Sequence, residues 1–557
     1  MEKSAIEIVD FTKTKELAAG ASETVTVSVD KYLLASYDSI GEKGYILSGG
    51  DYYISIGDDV HDALNNMLAA KGKKTSDGMT ASGNADKAYK FTQSFDANKY
   101  RMSTSGVRVT NQFTDCDLNT WIEGAGTYLS RSDWKNTYPV SQTTVRATDE
   151  MLDYLDGDTY VKPADAPSYD SVASQFGKDS GLTLAMMKDV PITDKAMWRK
   201  FILQISIDEL PFATAEGFTC PAVGILSPAF KVADGCDSNM GTVYIYPKSG
   251  TTKPAKDADG KDLETTKDEG VIQYKGLRYC SKPILTGTFN RELYAGRGKL
   301  MGEESTWANL MENYNTGADL HRTPFGGRSF EYMSECPTMS YLASIPEVEA
   351  MEKTGTHAAP KHFCGNDQET HREGVCTFFN EQAMRQGALR AFEGALKVAK
   401  AGGLMQSFER LGCTWASASY AMNTAVLRKE WGWTGNIVTD AASSMKEMNV
   451  GYKHHPCEVI AAGTEQFCLD GKGTHGKGVL EYAKNTDDGY LVECMINAAI
   501  SWEYAIATSV LVNGMSASDI IVPVTPWWSI ALTAATVTLS VLTAAAFVLL
   551  IVDKVKG

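Results

Sequence analysis

The 557-residue sequence has no excess of basic residues: 53 Lys and Arg stand against 69 Asp and Glu, a formal net charge of -16. That balance excludes a chain-wide electrostatic footprint for nucleic acid. It also lacks any CxxC pair, although eleven cysteines are scattered from Cys116 to Cys494. No zinc spacing or disulfide framework is therefore expected, and buried reduced thiols are. The start, "MEKSAIEIVDFTKTKE", has no apolar signal region. What is present is 43% hydrophobic and 10% aromatic residues, enough for a large core.

Only the C-terminal end carries a long apolar run. From Trp527 to Val552 no charged residue occurs, and Asp553, Lys554 and Lys556 follow. As a helix this run spans ~39 Å, more than the ~30 Å hydrocarbon core. The paired tryptophans and the basic tail mark two interfaces, so 527–552 is expected to be a single transmembrane helix. The basic tail places the globular part on the external face, whereas the start offers no export signal. Either the protein is tail-anchored and faces inward, or the N-terminal portion that would direct export is not on this chain.

Residues 1–75 read as β: "SAIEIVDF", "ETVTVSVD" and "DYYISIGDD" alternate apolar and polar positions between turn residues. About four strands fit, roughly half of a ~7-stranded sandwich. Residues 76–194 are expected to connect, being rich in Ser, Thr, Asp, Gly and Tyr up to about 180. A second polar stretch, 247–268, is expected to be an exposed loop.

From 195 to 525 short apolar strands alternate with amphipathic helices. The run from Asn380 has apolar residues at helical spacing, an Asn start and a Gly402-Gly403 stop. "GGLMQSF" and "TGNIVTDA" are strand candidates that deliver polar residues at their ends. Repeated βα units over 300 residues predict an α/β fold, a (β/α)8 TIM-like barrel with its site at the C-terminal strand ends.

The stretch "APKHFCGNDQETHREGV", 359–375, crowds both signs of charge behind a short strand. Lys361 and His362 there suit hydrogen bonds to ligand hydroxyls, and equally a solvated loop. Asp440 in "VTDAA" suits a carboxylate nucleophile at a strand end, and equally a helix N-cap. "KHHPC", with His454, His455 and Cys457, has no further ligand spacing, so no metal is expected. No cofactor is expected.

Four motifs in order, "GADLHRTPFGGRSFEYMSECP", "APKHFCGNDQETHR", "GGLMQSFERLG" and "LRKEWGWTGNIVTDAA", resemble the barrel motifs of glycoside hydrolase family 3, the β-glucosidase family. "FTKTKELAAGASETVTVSVD" resembles the fibronectin-III-like domain of such enzymes, here preceding the barrel as in permuted members. The resemblance implies a retaining glycosidase releasing terminal β-linked sugars from a β-linked glucoside or oligosaccharide, with Asp440 as nucleophile. It implies sugar-binding roles for Asp234, Arg328, Lys361, His362 and Arg372, and for Met405 and Phe408 beside them. In the family the acid/base Glu comes from an α/β sandwich domain, which has no counterpart in this sequence. A second chain is therefore expected to supply it, since Glu331, Glu335, Glu369 and Glu409 are weak substitutes. Cys336, Phe408 and Ala441 replace the family's usual Asp, Tyr and Trp. The alternative is a catalytically incomplete, sugar-binding membrane protein.

Overall fold

The computed structural model describes residues 3–512 and 527–556, apart from 5, 129, 131–143, 157–159, 236–242, 246–271, 275, 373 and 443–455. It forms two units, 1–514 and 515–557. The expected loop 247–268 and the histidines of "KHHPC" thus lie outside the described residues.

Near the N-terminus five strands form, β1 (Ser36–Asp38), β2 (Gly44–Leu47), β3 (Gly50–Ser55), β4 (Ala88–Gln93) and β5 (Asp96–Tyr100). One antiparallel sheet has the order β1-β2-β5, and β3 pairs with β4. Ala35, Tyr37, Tyr45, Leu47 and Val109 bury their side chains together beside it. Of the three expected strands only "DYYISIGDD" yields one, β3. "SAIEIVDF" and "ETVTVSVD" carry no strand. Alternation supplies an apolar face, but a strand also needs a neighbour to bond, and residues 12–28 are exposed. Phe11 instead packs with Leu285, Tyr294, Met339 and Tyr341. The segment read as connecting contributes β4 and β5, whose polar faces hid them.

The remaining strands are β6 (Thr219–Cys220), β7 (Phe230–Asp234), β8 (Val243–Ile245), β9 (Ile272–Tyr274), β10 (Leu310–Tyr314), β11 (His357–Ala358), β12 (Cys376–Thr377), β13 (Gly403–Met405), β14 (Arg410–Leu411), β15 (Thr414–Trp415) and β16 (Asn436–Val438). β7, β10 and β11 pair in parallel, as do β13 and β16. Parallel bridges Phe363–Gln406, Val438–Gln466 and Ala215–Phe467 extend these ladders. Helices Arg291–Trp307 and Pro337–Glu352 and the run 381–398 lie between them in sequence. This is the βα alternation of a TIM-barrel-type domain. Met311, Tyr314, Ala359, Met405, Val438 and Trp502 form an apolar cluster within it.

The run 381–398 starts where the sequence indicates, with Asn380 accepting a hydrogen bond from the Ala383 amide at 2.8 Å. It contains two widened π turns, Met384–Ala388 and Gly394–Val398. Between them sit Arg390 and Glu393. Tyr32, just ahead of β1, donates to Glu393 at 2.9 Å, and Arg390 stacks 4.3 Å from the Tyr32 ring.

In the second unit the helix Trp527–Lys556 forms. Its stretch Ile530–Lys556, with a window of mean hydropathy 2.4, is long and apolar enough to cross a membrane.

Candidate active site

Each strand end delivers one part of a compact charged pocket. β7 ends on Asp234, β11 runs on into Lys361 and His362, β13 into Phe408, and β16 into Asp440. Arg328 arrives on the segment after β10, and Arg372 on the segment before β12.

Asp440 is buried. Its Oδ1 accepts from the Ala441 amide at 2.7 Å, while Oδ2 accepts no hydrogen bond from the described residues. Burial pushes its carboxyl up to about 6; the Ala441 amide, Arg372, Arg328 and Lys361 pull in the other direction. A desolvated carboxylate with one oxygen uncommitted is the geometry a nucleophile requires.

His362 Nε2 lies 3.6 Å from Asp440 Oδ2. The ring contacts Arg328 Nη2 at 3.3 Å through Nε2 and Tyr332 Oη at 2.9 Å through Nδ1. Burial, with Arg328, Lys361 and Arg372 nearby, holds His362 well below the usual imidazole range. It is neutral at pH 7, and because Arg328 can only donate, the proton sits on Nδ1.

Lys361 is buried and reaches Asp234 Oδ1 at 2.5 Å and Glu331 Oε2 at 3.7 Å. Arg328 grips Glu331 with two bonds, at 2.6 and 2.9 Å, and lies 3.7 Å from Glu369. Arg372 pairs with Glu369 at 3.0 Å and stacks 4.0 Å from the Phe408 ring. The structure thus brings together Asp440, Asp234, Arg328, Lys361, His362, Arg372 and Phe408. Met405 takes a different place: it is buried in the apolar cluster with Tyr314 and Val438, its backbone bonded to Pro360 and Phe363.

The crowd of charge in 359–375 therefore divides. Lys361, His362, Glu369 and Arg372 face the pocket, while Asp367 turns to Arg322 at 2.8 Å. Tyr332 was not legible as a site residue; its only sequence signal is its place four positions after Arg328. The four glutamates near the site have partners: Glu331 and Glu369 the pocket arginines, Glu409 the amides of Asp367 and Gln368, and Glu335 the Ser334 hydroxyl. Cys336 precedes the helix Pro337–Glu352 without capping it, and burial pushes its thiol up.

Two family profiles match the chain: the glycosyl hydrolase family 3 N-terminal domain over residues 275–470, and a fibronectin type III-like domain over 2–60. A β-glucosidase of Ruminococcus albus is 26% identical over 482 residues, 84% of this chain and 43% of its own length. Thermostable β-glucosidase B of Acetivibrio thermocellus is 33% identical over 251 residues, 45% of this chain and 31% of its own. The crystal structure of a β-glucosidase from Paenibacillus barengoltzii aligns with TM-score 0.55 at 21% identity, covering 89% of this chain and 48% of that one. Fold and profiles together define a glycoside hydrolase domain of TIM-barrel type. The chain is β-glucosidase-like, and its residues 275–470 match the N-terminal domain of glycoside hydrolase family 3. It spans less than half the length of these relatives.

Proposed function

We propose that the protein is a retaining glycosidase of β-glucosidase type that releases terminal β-linked sugars, with Asp440 as nucleophile. The observation that carries this reading is the buried Asp440 carboxylate, whose Oδ2 is uncommitted and faces His362 inside a ring of Arg328, Lys361 and Arg372. Asp440 attacks the anomeric carbon, the glycosidic bond breaks, and a glycosyl-enzyme ester forms that water later cleaves. Lys361, His362, Asp234 and Arg372 hold the sugar hydroxyls, Arg328 keeps His362 in register, and Phe408 supports Arg372 from below.

The acid that protonates the leaving oxygen belongs ~5 to 5.5 Å from the nucleophile in a retaining site. Glu331 and Glu369 are held by Arg328 and Arg372, so we assign the acid/base to a carboxyl group of a second chain. The second reading, a sugar-binding membrane protein without turnover, is favoured by those same engaged glutamates and by Ala441, which offers no aromatic platform. In both readings the helix Trp527–Lys556 anchors the protein in a single pass with the globular part on the external face. Flotation of the full chain with phospholipid vesicles, and its loss on truncation after residue 526, is the expected result.

Trapping tests the reaction. The full-length protein in detergent is incubated with 2,4-dinitrophenyl 2-deoxy-2-fluoro-β-glucoside, whose leaving group needs no acid, and labelled peptides are mapped by mass spectrometry. A stable adduct on Asp440 is expected. Folded protein that binds glucose but forms no adduct would overturn the glycosidase reading in favour of the binding protein.

A further inference from the structure

Between Phe363 and β12 the chain makes an arm, residues 364–372, that carries Glu369 and Arg372 to the pocket. Three successive backbone amides of this arm are captured by two carboxylates from neighbouring strand ends. Asp319, which follows β10, accepts from the Asn366 amide at 2.8 Å through Oδ2 and from its neighbour Leu320 at 2.8 Å through Oδ1. Glu409, which follows β13, accepts from the Asp367 amide at 3.0 Å, the Gln368 amide at 2.8 Å and the Thr377 hydroxyl at 2.7 Å. Both carboxylates are buried.

The far end of the arm is then fixed side chain by side chain. Asn366 donates to Glu369 Oε1 at 3.0 Å, and the other Glu369 oxygen pairs with Arg372. A Cβ at Gly327 would stand 2.6 Å from Glu369 Cγ, so only glycine lets the segment carrying Arg328 close against the arm. A shift of the arm would therefore move Glu369, and with it the two arginines that flank Asp440.

Burying carboxylates here is costly. Desolvation pushes Asp319 up to about 7 and Glu409 up to about 8, partly offset by the same amide bonds. Two apolar side chains would fill that space more cheaply but would leave three successive amides, that of Asn366 buried, without these acceptors.

We propose that Asp319 and Glu409 are positioning residues of the sugar pocket, acting through the arm 364–372 to place Glu369 and Arg372. This rests on the glycosidase reading above for its consequence, and on the hydrogen bonds for its cause. An amide isostere keeps the shape of each side chain but turns an NH2 group toward a backbone N–H.

The test uses the full-length protein in detergent, with D319N and E409Q compared with wild type and with E503Q. Glu503 is also buried and pushed up to about 8, but its partner is Ser227, away from the arm. Two quantities are read: hydrogen exchange of amides 366–368 by mass spectrometry, and glucose affinity by calorimetry. In D319N and E409Q the amides are expected to exchange faster and glucose affinity to fall about tenfold or more, while E503Q matches wild type in both. Folded variants with unchanged exchange overturn the tether, and faster exchange with unchanged glucose affinity overturns its link to the pocket. If D319N does not fold, E409Q alone decides, because Glu409 holds two of the three amides. Wild type that binds no glucose sinks the glycosidase and sugar-binding readings instead, and exchange at 366–368 then decides the tether by itself.

Discussion

His362 Nε2 faces Asp440 Oδ2 at 3.6 Å, but its lone pair is turned to Arg328 and its proton to Tyr332. The two acceptors thus meet without a hydrogen bond, and Asp440 keeps an oxygen for the sugar. Arg328, which can only donate, fixes this tautomer, and the Tyr332 hydroxyl accepts the Nδ1 proton and orients the ring, so removing that hydroxyl leaves the Nδ1 proton without this partner. Y332F is expected to slow labelling by the dinitrophenyl fluoroglucoside by about tenfold, the usual cost of losing an orienting partner. A rate within twofold of wild type would show that Arg328 orients the ring without Tyr332.

Asp440 also sets a pH dependence. Its carboxyl is raised from the ordinary value of 3.8 to about 6, so the folded state binds more protons than the unfolded one between those limits. Wild type therefore loses stability as pH rises from 4 to 7, by up to about 3 kcal/mol. D440N has no such proton to lose. It is expected to unfold at higher denaturant than wild type at pH 7, with the gap closing near pH 4. Labelling of wild type should rise with pH through about 6, as the nucleophile ionises. A labelling rate flat from pH 5 to 8 would exclude Asp440 as the attacking group.

The two arginine-bound glutamates make a separate prediction. If neither Glu331 nor Glu369 is the acid, E331Q and E369Q slow substrates with good and poor leaving groups by the same factor, because only arginine placement is lost. Dinitrophenyl and methyl β-glucosides, assayed with excess enzyme, provide the comparison. A loss confined to the methyl glucoside would identify the substituted residue as the acid.

Much of this site was legible because its residues lie at strand ends in short motifs: Lys361 and His362 follow "THAAP", and Asp440 follows "NIVT". Sequence order places them, and parallel pairing brings them together. Tyr332 and the tethers Asp319 and Glu409 were not legible, because their roles come from what approaches them in space: a ring nitrogen in one case, backbone amides in the others. The N-terminal strands failed for the opposite reason. Residues 23–30 have the right alternation, but pairing is decided by a neighbour that sequence pattern does not contain, whereas β4 and β5 paired despite polar faces.

The junction between the fibronectin-like module and the barrel domain rests on a buried charge that two cations balance. Burial pushes the Glu393 carboxyl up, but Arg390 at 3.3 Å and Lys397 at 2.9 Å hold it below the usual range, and Tyr32 donates to it. R390M keeps the packing against the Tyr32 ring and removes the main counter-charge. It is expected to destabilise the protein by about 3 kcal/mol at pH 7, the cost of stranding one member of a buried pair. A depressed carboxylate contributes stability above its unfolded pKa that is lost as pH falls. The difference between R390M and wild type should therefore narrow toward pH 4 in chemical denaturation. An equal difference at both pH values would assign Arg390 a packing role alone.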